Sequence, residues 1–244
     1  MPEDNAMIAH LFKATLKYLD NLLLEKQWLS LRNLIRLIGL GIAIMSFTVF
    51  VEITEEMLEQ ESDVIDEYLL LLLQQLHHPL LTQIMIAVTF LGQPWVLFVL
   101  CLLVVIALVY YQQHLEAWSV MIAAGGVGII NALLKLLFAR ERPQLWEHAV
   151  TVHSYSFPSG HAMGSLVVYG MLGYLLWYYG RRWRWLSLSF IGFLILAIGL
   201  SRLYLGVHWP TDVAAGYIAG LVWLIASILS LEVWRDKTRI PSKN

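Results

Sequence analysis

Six stretches of this sequence, at about 33 to 54, 94 to 112, 116 to 138, 161 to 179, 185 to 203 and 211 to 233, are long and apolar enough to cross a bilayer. A helical crossing takes roughly 20 such residues. In hydrocarbon the backbone satisfies its N–H and C=O groups only within a helix or a closed barrel. The expected fold is therefore all-α, a polytopic membrane protein with six transmembrane helices. Composition agrees, with 59% hydrophobic and 14% charged residues and a mean hydropathy of +0.66, beyond the range of water-soluble domains. With no internal repeat, low-complexity tract or second domain, residues 1–244 form a single integral-membrane domain.

The distribution of charge orients the spans. Lys13, Lys17, Lys26, Arg32 and Arg36 precede or open the first span, Arg181, Arg182 and Arg184 fill the fourth connection, and Arg235, Lys237, Arg239 and Lys243 follow the last. Twelve of the 16 basic residues thus lie on one side. By the positive-inside rule that side is the cytoplasm, with both termini in it. The connection after the first span carries Glu52, Glu55, Glu56, Glu59, Glu61, Asp63, Asp66 and Glu67 without a Lys or Arg, as suits an outer segment. The first 32 residues hold charges throughout and lack the pattern of a cleavable signal, so the first span is expected to be its own insertion signal.

Two segments are amphipathic. Ile8, Phe12, Leu16, Leu19 and Leu23 recur at helical spacing and make residues 1–32 a cytoplasmic surface segment. Val64, Ile65, Tyr68, Leu69, Leu72 and Leu76 do the same on the outer side until Pro79, giving a helix that packs at the interface or shields a site. Residues 80 to 92 are short for a crossing. Cys101 is the single cysteine, which excludes an intramolecular disulfide or a cysteine metal cage. Gly125, Gly126 and Gly128, and the Gly216 and Gly220 pair, are expected at close helix contacts.

Four basic residues, Lys135, Arg140, Arg142 and Arg202, lie at or near the outer ends of spans, beside connections that hold His148, His153, His161, His208 and Asp212. Ionisable groups at membrane depth are expensive, about 2.5 to 3.5 kcal/mol each at the centre. Anion binding accounts for the gathering. Arginine offers planar bidentate donors to phosphate oxygens and lysine a point charge on a long stem, so Lys135 can snorkel toward such a site. In "FPSGHAMGS", residues 157 to 165, Ser159 is suited to cap the following helix, Gly160 allows close backbone approach, and the helix N-terminus favours an anion. His161 in that first turn is suited to protonating a leaving alkoxide. Pro210 suits the first turn of the last helix, and the four-residue interval can bring the Asp212 carboxylate back to His208.

The spacing "KLLFARERP" (Lys135, Arg142, Pro143), "PSGH" (Pro158 to His161) and "SRLYLGVHWPTD" (Ser201, Arg202, His208, Asp212) resembles the three-part signature of type 2 phosphatidic acid phosphatases, a signature shared with vanadium haloperoxidases. The resemblance covers about residues 60–232 and leaves the N-terminal segment out. It implies His208 as a nucleophile forming a phosphohistidine, Asp212 orienting it, and His161 first donating a proton and then activating water. The implied phosphate cradle is Lys135, Arg142, Ser159, Gly160 and Arg202. Arg140 matches no position and suits an interfacial contact with lipid head groups. His148 and His153 match none either and are expected as exposed loop residues or modest specificity contacts.

The expected activity is a lipid phosphate phosphatase of the cell membrane, working on the outer face. Its substrate is a phosphate monoester or pyrophosphate of a lipid such as phosphatidic acid, phosphatidylglycerol phosphate, diacylglycerol pyrophosphate or an isoprenyl pyrophosphate. No cofactor, metal or nucleic-acid partner is expected, because the histidines are committed to the signature and the paired carboxylates of a magnesium site are missing from it. A phosphotransferase with the same site remains open. A transporter fits less well, its sites usually lying at mid-membrane, and six spans disfavour a haloperoxidase. Oligomeric state is open.

Overall fold

The computed structural model describes residues 31–152, 154–180 and 183–239. His153, Arg181, Arg182, Lys243 and the surface segment expected over 1–32, apart from its last two residues, lie outside the described residues. The described residues form α1 (Leu31–Leu58), α2 (Asp63–Gln74), α3 (Pro79–Phe90), α4 (Pro94–Tyr110), α5 (His114–Phe138), α6 (Gly160–Tyr179), α7 (Arg184–Tyr204) and α8 (Pro210–Arg239). By internal contacts the chain divides into Met1–Gly41, whose described part is the opening of α1, and Ile42–Asn244.

Helix boundaries follow local chemistry. Pro79, Pro94 and Pro210 each occupy a first helical position, where the missing N–H would have no partner anyway. His78 caps α3 by accepting the Leu80 N–H on its Nδ1 at 3.3 Å. Helix α5 stops where Ala139 turns left-handed, at φ 44°, with its N–H returning to the Lys135 carbonyl. Gly206 closes the turn after α7 at φ +69°, and any Cβ there would sit 2.6 Å from the Trp146 ring. Both conformation and space demand glycine at that position.

Four described helices are long and apolar enough to cross a membrane: Asn33–Leu58, His114–Phe138, Arg184–Tyr204 and Pro210–Thr238. The α3 and α4 pair, bent by 46° at its break, makes up to five if it counts as one span. Helix α6, expected as a crossing over 161–179, is less apolar because His161, Ser165, four glycines and four tyrosines interrupt it. It is a core helix: ten of its 20 residues are buried, so its surroundings are mostly protein and it needs little lipid-facing surface. Lipid-facing apolar side chains lie instead on its neighbours, including Phe98, Leu103 and Ile106 on α4 and Phe190, Phe193 and Leu196 on α7, all exposed.

The core joins α4, α5, α6, α7 and α8 through Leu97, Val120, Ala123, Met163, Val167, Met171, Ile198 and Leu231. Glycines set the tightest approaches. A Cβ on Gly216 of α8 would lie 2.7 Å from the Ser159 carbonyl, and one on Gly126 of α5 would meet Trp223. Gly125 and Gly128 differ from the expectation: nothing lies within 4 Å of where their Cβ atoms would be. They open a cavity rather than close a contact. On α2 the expected apolar stripe faces outward, with Val64, Ile65, Tyr68 and Leu76 exposed, while Asp66 and Leu70 are the residues buried.

Candidate active site

The C-terminal ends of α5 and α7 and the starts of α6 and α8 bring the signature residues together around His208, which is 1% exposed in the turn between α7 and α8. Its Nδ1 lies 3.3 Å from Asp212 Oδ2 and 3.3 Å from Ser156 Oγ, and its Nε2 lies 3.2 Å from Arg142 Nη1. Burial, then the charges of Arg142, Arg202 and Lys135, hold the imidazole well below the ordinary histidine range. It is therefore neutral near pH 7. The Asp212 carboxylate is fully buried and carries a full complement of donors. Oδ1 accepts from Arg140 at 3.0 Å, while Oδ2 accepts from the Trp209 N–H at 2.8 Å and from the Ser156 hydroxyl.

The cationic side is built from one loop and two helix ends. Lys135, in the last turn of α5, donates to the carbonyls of Tyr155 and Ser156. Arg142 donates to the Ser154 carbonyl at 2.8 Å, to that of Tyr155 at 3.2 Å and to that of Val207. These contacts hold the 140–158 connection against the α7–α8 turn. Arg202 is 1% exposed and donates from Nη1 to Thr89 Oγ1 at 2.7 Å, so α3 fixes its fork. Arg202, His208, Arg142 and Lys135 all act electrostatically on His161.

Five buried side-chain polar atoms among the described residues have no hydrogen-bond partner, and three belong to signature residues: Ser159 Oγ, His161 Nε2 and Arg202 Nε. Leaving a buried polar atom unpaired costs about 1 to 3 kcal/mol. Three such atoms beside several cations suit the binding of an anion. Ser159 does not act as the side-chain cap expected of it, since no cap bond forms although it stands at the N-cap of α6. Its hydroxyl is left for another acceptor or donor. Asn131 packs close against Gly160, its Oδ1 lying 2.8 Å from where a Cβ would be. Asn131 also donates to the Pro158 carbonyl at 3.2 Å and so holds the loop before α6.

Two expectations are corrected by contacts. Arg140 faces inward instead of toward lipid head groups: it bridges Asp212, Asp66 and Asp63 and lies over the Trp209 ring with Cζ 5.5 Å from the centroid. His148 is not an exposed loop histidine at its tip, because Nε2 is buried without a partner. Ser156, Asn131, Thr89, Arg140 and Asp66 were the functional neighbours that sequence reasoning missed. All but Arg140 lie outside the signature strings, and each makes its contact across a long stretch of chain.

A cavity of about 690 Å³ opens beside the site between α4, α5 and α6. Leu97, Phe98, Leu102, Val105 and Ile129 line it, and Gly160 and Asn131 stand where it reaches the start of α6. Among the described residues no group of three or more His, Cys, Asp or Glu side chains is placed to hold a metal ion.

Residues 116–236 match the PAP2 superfamily. The chain is 30% identical over 152 residues to phosphatidylglycerophosphatase B of Bacillus subtilis, a match covering 60% of this chain and 73% of that protein. It is 40% identical over 80 residues to undecaprenyl-diphosphatase of Sulfolobus acidocaldarius, covering 32% of this chain and 34% of that one. In fold it is similar to the crystal structure of a transmembrane PAP2-type phosphatidylglycerolphosphate phosphatase from Bacillus subtilis, with a TM-score of 0.73 over 83% of this chain and 98% of the other at 24% identity. With that likeness of sequence and fold, the chain is a multi-pass membrane protein that belongs to the PAP2 superfamily.

Proposed function

We propose that the protein is a lipid phosphate phosphatase that transfers the phosphoryl group of a long-chain lipid phosphate or pyrophosphate to His208 and then to water. The observation that carries this reading is the set of unpartnered buried atoms, Ser159 Oγ, His161 Nε2 and Arg202 Nε, beside Arg142 and Lys135. They are the donors and the proton carrier that a phosphoryl group with three non-bridging oxygens requires.

The steps follow from the hydrogen bonds. Guanidinium only donates, so His208 Nε2, facing Arg142, carries the lone pair and Nδ1 carries the proton bonded to Asp212. Nε2 attacks phosphorus, the bond from phosphorus to the leaving oxygen breaks, and His161 gives its proton to that oxygen. The phosphate's negative charge among the cations favours the protonated His161 before transfer. His161, now neutral, takes a proton from water, whose oxygen attacks the phosphohistidine and returns Nε2 free. Lys135, Arg142, Arg202, the Ser159 hydroxyl and the start of α6 at Gly160 balance charge on the non-bridging oxygens. Each part of this cycle uses the protein's own donors and bases, and a chelator is expected to leave turnover intact.

A lipid substrate is supported by the apolar cavity reaching Gly160, which suits a hydrocarbon chain better than a sugar, and by the relatives named for lipid substrates. The position of the site is supported by charge. Twelve of the 16 basic residues gather away from the ends that bear His161 and His208, which favours both termini in the cytoplasm and the site on the outer face. Six crossings are supported by α6, whose 20 residues span about 30 Å, and by α4 as the outer-to-inner segment.

Phosphate release by purified protein from a panel of lipid phosphates, pyrophosphates and a soluble sugar phosphate, with and without an acceptor lipid, tests the reading. Selective turnover of the long-chain substrates to inorganic phosphate, lost in His208→Ala, is expected. Transfer to the acceptor in place of release would make the protein a phosphotransferase, and equal efficiency with the sugar phosphate would reject the lipid assignment.

A further inference from the structure

Asp212 divides its oxygens between two tasks. Oδ2 serves His208, Ser156 and the Trp209 N–H, whereas Oδ1 is given to Arg140. The other nitrogen of the same guanidinium, Nη2, donates to Asp66 Oδ2 at 3.0 Å and to Asp63 Oδ1 at 3.2 Å. Asp66 is 1% exposed, on the outer amphipathic helix α2. It also accepts the Thr211 N–H at 3.0 Å and the Thr211 hydroxyl at 2.5 Å, and that hydroxyl in turn accepts from Arg140 Nη1 at 2.7 Å. Asp66, Arg140 and Thr211 therefore form a closed ring of charge-assisted hydrogen bonds, and Arg140 Nη1 joins that ring to Asp212 behind the catalytic histidine.

We propose that Asp66 is a positioning residue for phosphoryl transfer, fixing the plane of Arg140 and, through it, the Asp212 carboxylate that orients His208. The inference rests on the histidine chemistry proposed above and extends it by two residues. A guanidinium is planar with its donors in a rigid fork, so anchoring Nη2 on a buried carboxylate determines where Nη1 points. A lysine in the same place would supply charge without that constraint. Asp63 reaches the same nitrogen, but its side chain is 52% exposed, and an exposed pair holds geometry weakly. Anchoring thus falls to Asp66. The arrangement also gives α2 a task that its outward apolar stripe does not: it carries the outermost member of the chain from Asp66 to His208.

The competing account is that Asp66 only fastens α2 to the first turn of α8 through the Thr211 N–H. Asp66→Asn separates the two, since an amide oxygen still accepts that N–H while the charge that anchors Arg140 is lost. Full-length protein in detergent is compared as wild type, Asp66→Asn, Asp63→Asn and Arg140→Lys for kcat, KM, melting midpoint and the rate of the phosphoenzyme burst. A misplacement of about 1 Å can cost on the order of 100-fold in rate. Asp66→Asn is expected to lower kcat and the burst rate about 10- to 100-fold with KM within twofold and the melting midpoint little changed. Arg140→Lys is expected to match it, and Asp63→Asn to stay within twofold of wild type.

Wild-type burst kinetics in folded Asp66→Asn overturns the proposal, as does a fall in kcat that merely tracks loss of folded protein. Where Asp66→Asn does not fold, Arg140→Lys decides: wild-type kcat there shows that charge without bridging suffices and overturns the relay. His208→Ala is run in parallel, and turnover by that variant would sink the histidine chemistry itself, a different failure from an unaffected Asp66→Asn.

Discussion

His208 Nε2 lies 3.2 Å from Arg142 Nη1, with its Nδ1 3.3 Å from Asp212 Oδ2. A guanidinium cannot accept a hydrogen bond, so this pair of contacts sets the tautomer: the lone pair faces the cations and the proton faces the carboxylate. Burial and the neighbouring cations keep the ring neutral. In the proposed mechanism the imidazole is thus prepared as a nucleophile before any substrate arrives, and the remaining residues either hold it there or receive the phosphate.

Ser156 is part of that preparation. Its hydroxyl donates to Asp212 Oδ2 and lies 3.3 Å from His208 Nδ1. Ser156→Ala leaves a buried carboxylate one donor short, which is expected to destabilise the fold by about 1.5 to 3 kcal/mol and to lower kcat more than KM. Steady-state kinetics with a melting curve checks both, and unchanged kcat would remove Ser156 from the account.

Stability is expected to fall with acid through His208. Its folded-state pKa is depressed below the ordinary value of 6.5, so as pH drops through about 6.5 the unfolded chain takes up a proton that the folded chain refuses. The resulting loss is at most about 1.4 kcal/mol per pH unit for one group. Melting midpoints between pH 7.5 and 5 in phosphate-free detergent solution should fall for wild type and fall less steeply for His208→Gln. Parallel curves would mean that the histidine is not held neutral.

Chain selectivity is expected to sit at Gly128. No atom lies within 4 Å of its Cβ position, and it lines the cavity beside the site. Gly128→Leu fills that space, and displacing about two methylenes at roughly 0.8 kcal/mol each corresponds to about a tenfold loss in kcat/KM. The loss should appear with long-chain substrates and be absent with a short-chain or aryl phosphate. Equal losses for both would indicate a disturbed helix contact rather than a chain site.

Topology is testable at three exposed positions, Glu147, Gln112 and Trp183. In a Cys101→Ser background, Glu147→Cys should react with an impermeant thiol reagent added to intact cells. Gln112→Cys and Trp183→Cys should not. The reverse pattern would place the site in the cytoplasm.

Much of this architecture was legible because the membrane simplifies the reading. The six apolar stretches correspond to the helices α1, α4, α5, α6, α7 and α8 within a few residues at most ends, since a long, mostly hydrophobic run needs no tertiary information to be recognised as a helix. The clustering of the signature residues was legible for a different reason: Lys135 with Arg142, Ser159 with His161, and Arg202 with His208 and Asp212 stand at short, fixed intervals.

Illegible were contacts made across the fold. Asp66 and Arg140 are 74 residues apart and Arg202 and Thr89 are 113 apart, separations over which periodicity carries no information. The apolar stripe of α2 drew attention to its lipid side, whereas the buried partner was the acidic residue between. Gly125 and Gly128 look like packing glycines in sequence because an empty neighbour and a close neighbour ask for the same residue. The span assignment of α6 was affected in a similar way, since a helix enclosed by protein can carry polar and glycine residues that a lipid-facing one does not.

The central claim is a covalent phosphoryl group on His208. The most direct measurement uses His161→Ala, which lacks the base for the second step, with an aryl phosphate whose leaving group needs no proton. Rapid quenching followed by mass spectrometry of the peptide containing His208 should find stoichiometric phosphorylation on that histidine, and none in a His208→Ala, His161→Ala double variant. Full aryl phosphate turnover with His208 unmodified throughout would contradict the account.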